Sequence, residues 1–295
     1  MPAFVCDLGF SSAKWMYGEK RGRIPSAFRR YGKDYVFGEE ALVKVGASYL
    51  KTPEELIRLY PAFVEKCMEA AGVEEDVQVA VGLPYSFWDQ QRKIPGGALD
   101  SLEKSLSQLQ KVGGVMVCPQ GLGGIRMFLD DHQDVDGSVL GIDIGFNTAI
   151  WCLFNTDTGK LVYGDTLNKR GVFQLATEHL LPNISHLALA RTFTPIEIAM
   201  LMEQGSLQYG TETTSIKQEI AAAAEEYMES ILDDIVGEIQ AHAGVTAQFN
   251  HLLLFGGGAH YVGDGLRQRM DSVVILADPE YANASGFAAL TADAA

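Results

Sequence analysis

Two short segments of the sequence place an aspartate two residues before a glycine, at the point where an apolar run ends. They read VCDLGFSSAK at residues 5–14 and GIDIGFNTAI at residues 141–150. Glycine permits a tight turn and leaves backbone N–H groups accessible, so each turn can bind a phosphate. The carboxylates of Asp7 and Asp143 would repel a phosphate, and their expected role is to hold Mg²⁺ or its water shell.

Each segment continues into a second apolar run, which is the pattern of a β-hairpin. A single aspartate–glycine turn says little about function, because both residues are common in ordinary hairpins. The second copy changes the interpretation. Two copies about half a chain apart predict a duplicated architecture, with two phosphate loops facing one another and a nucleotide between them.

Two further turns could contact a nucleotide. The segment FGGGA at residues 255–259 joins a predicted strand to a predicted helix. Its glycines would let a flat ring or a phosphate approach the backbone, although a crowded strand–helix crossing would also need them. Pro119-Gln120-Gly121 follows another predicted strand. This turn would present the Gln120 side chain at the edge of a cleft, or use that side chain to cap the following helix.

Composition and charge restrict the class of protein. With 295 residues, 47% of them hydrophobic, the chain can form two domains with their own cores. The formal net charge of −15 argues against direct binding to DNA or to anionic membranes, so a role with nucleic acid would need a basic adaptor protein. The four cysteines lie far apart, without C-x-x-C spacing, which favours buried thiols over zinc ligands or disulfides.

The sequence shows no targeting or membrane-spanning pattern. Its first residues enter a strand without the basic and apolar regions of a signal peptide, which predicts a cytoplasmic protein. The most apolar window, residues 138–156, contains Asp143 and Asn147 in its middle. We therefore interpret it as strand, turn and strand, not as a membrane span.

The elements that position these turns follow from the hydrophobic periodicity. A helix begins at Pro53 after the N-cap Thr52 and ends at Gly72. An amphipathic helix spans residues 215–242. The basic segment 19–35 is either a protein contact surface or a solvated loop and hairpin. The other predicted elements are strands at 77–81, 114–118, 161–163, 249–255 and 273–276, and helices at 98–111, 125–130, 171–181, 195–203 and 260–270.

Taken in order, these motifs resemble those of the actin-like ATPase superfamily, which includes actin, heat-shock chaperones and sugar kinases. The spacing from Asp7 to Lys14 is similar to that in actins and in ParM-type plasmid-segregation proteins, and residues 35–41 resemble a segment common in ParM-like and archaeal actin-like proteins. The five matching motifs are phosphate motif 1 (Asp7 to Lys14), connecting motif 1 (Pro119 to Gly121), phosphate motif 2 (Gly141 to Thr148), the adenosine motif (Phe255 to Ala259) and connecting motif 2 (Glu280 to Gly286).

The resemblance implies an α/β protein of two related ribonuclease H-like domains with a nucleotide cleft between them. Domain I would comprise residues 1–137, with the C-terminal segment 273–295 packing back on it. Domain II would comprise residues 138–272, with a small inserted subdomain near 183–216. At 295 residues the chain is shorter than actin, so one or both outer subdomains are expected to be reduced. A peptide-binding domain of the chaperone kind is not expected.

The resemblance also implies ATP or ADP and Mg²⁺ as cofactors and assigns roles to particular residues. Asp7 and Asp143 would hold the metal through water, and Gln120 would act with them in catalysis. The residues implied in cofactor binding are Gly9, Ser11, Ser12, Lys14, Gly145, Asn147, Thr148, Lys217, Glu219, Gly256, Gly257 and Gly258.

Gln120 decides between the branches of the superfamily. Kinases need a carboxylate base to deprotonate an acceptor hydroxyl, and several branches supply it from the first connecting motif. Glutamine cannot take a proton, but it can orient a water. The resemblance therefore predicts an ATPase that polymerises with itself into nucleotide-dependent filaments, for plasmid segregation or intracellular scaffolding. The alternatives are a small-molecule kinase of the same fold and a non-polymerising regulatory ATPase that acts through one protein partner.

Overall fold

The structure is a computed structural model that describes residues 1–32, 34–43, 46–185, 193, 195–209, 211–243, 248–267 and 272–293. The strands are β1 (Ala3–Leu8), β2 (Ser12–Tyr17), β3 (Lys20–Pro25), β4 (Ala27–Tyr31), β5 (Asp34–Phe37), β6 (Ser48–Tyr49), β7 (Val77–Leu83), β8 (Val112–Pro119), β9 (Ser138–Ile144), β10 (Thr148–Asn155), β11 (Lys160–Asn168), β12 (Ser206–Tyr209), β13 (Glu212–Ser215), β14 (His251–Phe255) and β15 (Val273–Ile275).

The α-helices are Glu39–Leu42, Pro53–Ala71, Tyr85–Gln91, Ala98–Leu106, Leu122–Asp131, Val172–Gln174, Leu181–Asn183, Pro195–Gln204, Lys217–Ala243, Ala259–Arg267 and Ala282–Asp293. A π-helix spans Leu175–Leu180 and a 3₁₀-helix spans Pro279–Tyr281. Among the helices described, none combines the length and apolarity needed to cross a lipid bilayer.

The chain divides into two compact units. The first unit contains Met1–Val135, Gly164–Thr166 and Tyr281–Ala295, and the second contains Asp136–Tyr163 and Leu167–Glu280. The predicted domain I included all of residues 273–295. The structure instead places the segment before Tyr281 in the second unit, because β15 pairs in parallel with β14 there.

The two units contain five-stranded sheets of the same design. The strand order is β3-β2-β1-β7-β8 in the first unit and β11-β10-β9-β14-β15 in the second. In each sheet the central strand forms an antiparallel hairpin with the next strand, β1 with β2 and β9 with β10. On its other side the central strand pairs in parallel with a later strand, β7 or β14. The predicted hairpins and the predicted duplication are therefore confirmed.

In the first unit, both faces of the sheet are covered by helices. On one face the helix Pro53–Ala71 buries Leu59, Phe63 and Cys67. The side chain of its N-cap, Thr52, accepts a hydrogen bond from the Glu55 N–H, as predicted. On the other face the helix Ala282–Asp293 packs against Val5, Ala80 and Cys118 through Ala284 and Phe287.

Two helices of the first unit cross at glycine. A Cβ at Gly286 would collide with the carbonyl oxygen of Gly123, and a Cβ at Gly123 would lie 2.6 Å from the carbonyl oxygen of Asn283. The helices Leu122–Asp131 and Ala282–Asp293 can approach this closely only because these positions lack side chains. This observation explains the small residues in the second connecting motif.

The second unit is built around its long helix. Lys217–Ala243 buries an apolar stripe against the sheet, as its spacing predicts. The buried residues of the stripe are Ile220, Ala223, Ala224, Tyr227, Met228, Ile231, Ile235 and Ile239.

Several predicted boundaries differ from the structure. The helix predicted at 98–111 ends at Leu106, and the helix predicted at 171–181 is divided by the π-helix Leu175–Leu180. The basic segment 19–35 contains β3 and β4, which pair antiparallel with β2 and β5, in agreement with the hairpin that was one interpretation of this segment. Lys33, residues 268–270 and a part of the predicted subdomain at 183–216 lie outside the described residues. Within that subdomain, Pro195–Gln204 is helical and β12 pairs with β13.

Candidate functional site

The first aspartate–glycine turn joins β1 to β2. The Gly9 N–H donates to the carbonyl oxygen of Ser12 over 3.0 Å, which closes the turn. Ser26 secures the turn from the next hairpin: its N–H donates to the Ser11 carbonyl oxygen over 2.9 Å, and its hydroxyl donates to the Gly9 carbonyl oxygen over 2.6 Å. The predicted phosphate ligands Gly9, Ser11 and Ser12 therefore lie on a turn of defined shape, and all three are half-buried.

Asp7 lies beneath this turn, with only 5% of its surface exposed. Lys14 is opposite Asp7 in the β1–β2 register. Burial raises the pKa of Asp7 from its ordinary value of 3.8, whereas the Lys14 charge and hydrogen bonds from the Gln120 and Asn283 side chains lower it. A cation near this carboxyl group would favour its ionised form.

The structure brings Gln120 and Asp7 together. Gln120 is 6% exposed, and its Nε2 donates to Asp7 Oδ1 over 2.6 Å. The following helix, Leu122–Asp131, has Gly121 as its N-cap, without a side-chain capping hydrogen bond. The Gly121 N–H is bound instead by Asn283 Oδ1 over 3.0 Å. Gln120 thus contacts the carboxylate and does not cap the helix.

Tyr60 supports the same region and was not identified from the sequence. Its buried hydroxyl lies between β1 and β7, where it accepts from the N–H groups of Leu8 and Gly82 over 3.0 and 3.1 Å. It is also within 2.9 Å of the carbonyl oxygens of Cys6 and Gly82. In the sequence, Tyr60 is one more apolar position of an amphipathic helix, and the periodicity gives no sign of the hydroxyl's role.

The second aspartate–glycine turn repeats the hydrogen bond of the first. The Gly145 N–H donates to the Thr148 carbonyl oxygen over 2.9 Å. The start of the next helix holds this turn, because the N–H groups of Val172 and Phe173 donate to the carbonyl oxygens of Gly145 and Phe146 over 3.0 and 2.8 Å. Asp143, at the end of β9, is 7% exposed, and Thr148 is also buried.

Gln174 contacts the second turn and was also missed. Its Nε2 donates to Asn147 Oδ1 over 3.2 Å, and its Oε1 accepts from the Gly171 N–H over 3.0 Å. A Cβ at Gly171 would lie 2.5 Å from the carbonyl carbon of Phe146, so the backbone there packs directly on the turn. Gln174 lies in a helical segment, where sequence periodicity alone does not distinguish a hydrogen-bonding partner from a packed side chain.

The three glycines after β14 have different surroundings. Gly256 has a φ of 80°, and a Cβ there would collide with Asp143 Oδ1. A Cβ at Gly258 would collide with the side chain of Ile144. A Cβ at Gly257 would meet no atom within 4 Å. Close packing accounts for Gly256 and Gly258, whereas Gly257 has open space above it that a ligand ring could use.

The predicted ribose or base contacts lie at the start of the long helix. Lys217 is exposed, and its aliphatic stem passes over Gly205, where a Cβ would lie 2.9 Å from Lys217 Cγ. Glu219 is half-buried. Both residues belong to the second unit, as do the second turn and the glycines after β14.

The carboxylates suit a hydrated cation better than one that is fully coordinated by protein. Within the described part of the chain, no cluster of three or more His, Cys, Asp or Glu side chains could hold a metal ion. Asp7 and Asp143 each stand at the end of a central strand, and Mg²⁺ commonly binds through one or two carboxylates together with water and phosphate oxygens. Each carboxylate, taken by itself, is therefore of the kind that can hold Mg²⁺ through water.

Comparisons with known proteins agree with this architecture. Residues 141–268 match the family model of the archaeal actin homologue MreB-like, C-terminal domain. No curated protein sequence matches the chain.

Solved structures match over almost the whole chain. A crystal structure of an archaeal actin homolog has a TM-score of 0.78 at 15% identity, covering 99% of this chain and 100% of that chain. A 15-stranded ParM filament from Clostridium botulinum gives 0.72 at 17% identity, covering 99% of both chains. MreB5 of Spiroplasma citri bound to ADP gives 0.69 at 12% identity, covering 99% of this chain and 97% of that chain. These similarities confirm the predicted actin-like α/β fold.

Proposed function

We propose that this chain, which has the actin-like fold and matches an archaeal MreB-like domain over residues 141–268, binds and hydrolyses ATP and assembles into filaments. One observation carries the proposal. Equivalent strands of two sheets of the same order end in turns closed by the same hydrogen bond, Gly9 to Ser12 and Gly145 to Thr148. A duplicated pair of phosphate-binding turns suits a ligand with several phosphates.

In this proposal both turns bind phosphate oxygens. The N–H and hydroxyl groups of the first turn and the ammonium group of Lys14 bind phosphate oxygens, and Asn147 and Thr148 do so in the second turn. Asp7 and Asp143 hold the water shell of Mg²⁺, which when bound neutralises charge on the phosphates. The open backbone face at Gly257 receives the adenine, and Lys217 or Glu219 contacts the ribose or base.

Gln120 is proposed to orient the water that attacks the terminal phosphate. Its hydrogen bond to Asp7 fixes one end of the amide, and the buried surroundings restrict its rotation. A held amide can position a water without the entropy loss that a free side chain would incur. Because glutamine cannot act as a base toward an acceptor hydroxyl, hydrolysis is favoured over transfer to a small molecule.

Solved structures of the same fold support both parts of the proposal. The ParM filament supports filament assembly. Bacillus thuringiensis ParM with ATP and the archaeal homolog in complex with ADP support nucleotide binding. We propose that the partner in assembly is a second copy of the chain in the cytoplasm, for plasmid segregation or scaffolding. Because the net charge is −15, any link to DNA would run through a basic adaptor protein.

Two measurements on the purified chain test the proposal. Calorimetric titration with Mg-ATP is expected to show binding, and sedimentation is expected to pellet the protein with Mg-ATP more than with Mg-ADP. Phosphate release should accompany assembly. If ADP is released only when a small hydroxylated metabolite is added, the protein is a kinase. A protein that hydrolyses ATP but never pellets would be a non-polymerising ATPase.

A further inference from the structure

Two consecutive hydrogen bonds, the first from a backbone N–H, determine which way the side-chain amide of Asn147 is oriented. The Gly171 N–H can only donate, so the atom of Gln174 that faces it must be the acceptor Oε1, over 3.0 Å. The other end of the Gln174 amide is then the donor Nε2. It faces Asn147 over 3.2 Å and must meet an acceptor, which is Oδ1.

This arrangement leaves the two N–H groups of the Asn147 amide on the side away from Gln174. Asn147 is half-buried on the second turn, beside Gly145 and Thr148. An asparagine amide can turn over and present either its oxygen or its nitrogen, and a phosphate is an acceptor that needs donors. Only the orientation in which Oδ1 faces Gln174 offers those donors.

We propose that Gln174 is a positioning residue that orients the Asn147 amide so that its N–H groups face a phosphate of the bound nucleotide; this rests on the proposed ATP binding. Gln174 touches neither nucleotide nor metal and acts through Asn147. Its burial, with 6% of its surface exposed, prevents its own amide from exchanging partners with water.

A double-mutant cycle on the full chain tests this role, with calorimetric titration of Mg-ATP as the readout. Gln174→Met keeps the size of the side chain but loses both hydrogen bonds, and Asn147→Ala removes the proposed donor. Each single change is expected to weaken ATP binding about 10-fold, the scale of a hydrogen bond to a charged group. In the Asn147→Ala background, Gln174→Met should change ATP affinity less than about twofold, since there is no amide left to orient. Gln240→Met, on the exposed face of the long helix in the same unit, is the matched control and should bind ATP as the wild type does.

A purely structural role for Gln174 gives a different result. It would lower ATP affinity by the same factor with or without Asn147, and that outcome would overturn the inference. Unchanged affinity in Gln174→Met would do so as well. A wild-type protein that does not bind Mg-ATP would remove the proposed function itself, and the inference with it.

Asn147→Asp provides a second test that does not depend on the folding of Gln174→Met. The carboxylate can still accept the Gln174 N–H, but it has no N–H to offer and repels phosphate. ATP binding should therefore be weaker in Asn147→Asp than in Asn147→Ala. Wild-type affinity in Asn147→Asp would show that no donor is needed at this position and would overturn the inference.

Discussion

The two aspartate–glycine turns share a backbone and differ in how their aspartates are held. Opposite Asp7 in the hairpin register stands Lys14, whereas opposite Asp143 stands Ile150. Asp7 also accepts a hydrogen bond from Gln120. Both turns keep the same closing hydrogen bond, whereas the residue opposite the aspartate is a charged lysine in the first unit and an uncharged isoleucine in the second. The two copies therefore share a turn geometry and differ in the charge across the hairpin.

The supports of the two turns come from different elements. The first turn is secured by the side chain and backbone of Ser26, and the second by the backbone of Val172 and Phe173 and by the side chain of Gln174. Each aspartate nevertheless has a glycine next to its side chain. Gly82 lies within β7, the parallel neighbour of β1, and Gly256 directly follows β14, the parallel neighbour of β9. A Cβ at Gly82 would lie 2.7 Å from Asp7 Oδ1, and one at Gly256 would collide with Asp143 Oδ1. Only glycine at positions 82 and 256 leaves enough room for the two carboxylates.

The largest effect is expected from removing an aspartate. If both carboxylates hold the same hydrated ion, Asp7→Ala and Asp143→Ala should each lower ATP hydrolysis by on the order of 100-fold or more, since metal charge stabilisation is worth several kcal/mol. Steady-state phosphate release measures this, with Asp131→Ala on the surface as the control. Wild-type hydrolysis in Asp143→Ala would remove that residue from the metal site and make the two turns functionally unequal.

Substitution of Gln120 should slow ATP hydrolysis without preventing filament assembly. Gln120→Ala should lower phosphate release about 10- to 1000-fold, because one orienting contact contributes about 1.4 to 4 kcal/mol to the barrier. ATP-dependent assembly should persist, and the filaments should disassemble slowly. Phosphate release and light scattering, followed together after addition of Mg-ATP, measure both effects. If phosphate release is unchanged, Gln120 serves only to hold Asp7.

Alanine substitutions at Gly256 and Gly257 should distinguish a glycine needed for packing from one that contacts the ligand. Gly256→Ala should reduce stability by about 1 to 3 kcal/mol, because it combines a positive φ with a collision at Asp143. Gly257→Ala should change stability by less than about 0.5 kcal/mol, since the space there is open, but weaken ATP binding. Denaturant unfolding and ATP titration on both variants measure the contrast. Equal loss of stability in both would mean that the segment is a packing feature throughout.

The smallest effect concerns the pH dependence of stability without nucleotide. Burial raises the pKa of Asp7 in the folded state, so the folded protein binds its proton more tightly than the unfolded chain does. Asp7 therefore makes folding less favourable as pH rises through and above 3.8. Asp7→Asn should be more stable than the wild type at neutral pH, with the difference shrinking as pH falls toward 3.8. Thermal unfolding from pH 4 to pH 8 tests the sign, and a destabilised Asp7→Asn protein at pH 8 would contradict it.

The backbone of the site was predictable because it is encoded locally. Asp7-x-Gly9 and Asp143-x-Gly145 each specify a hairpin within about ten residues, and Thr52, Pro53 and Gly72 mark the ends of a helix. The predicted roles of the ligand residues stay predictions until binding is measured.

The supports of the site were not predictable, because they join residues far apart in the chain. Tyr60 contacts Leu8, and Asn283 contacts Gly121, through hydrogen bonds that no local pattern signals. The pairing of β15 with β14 likewise depends on register between distant segments, which is why residues 273–280 were assigned to the wrong unit.

The helix Ala282–Asp293 also affects the order in which the protein folds during synthesis. Ala284 and Phe287 cover Val5, Ala80 and Cys118, residues that leave the ribosome much earlier. One face of the first sheet therefore stays open while the whole second unit is being translated. Nascent chains usually fold domain by domain from the N-terminus. Here we expect the second unit to complete its core first, and the first unit, although it begins the chain, to be the one that depends on chaperones in the interval.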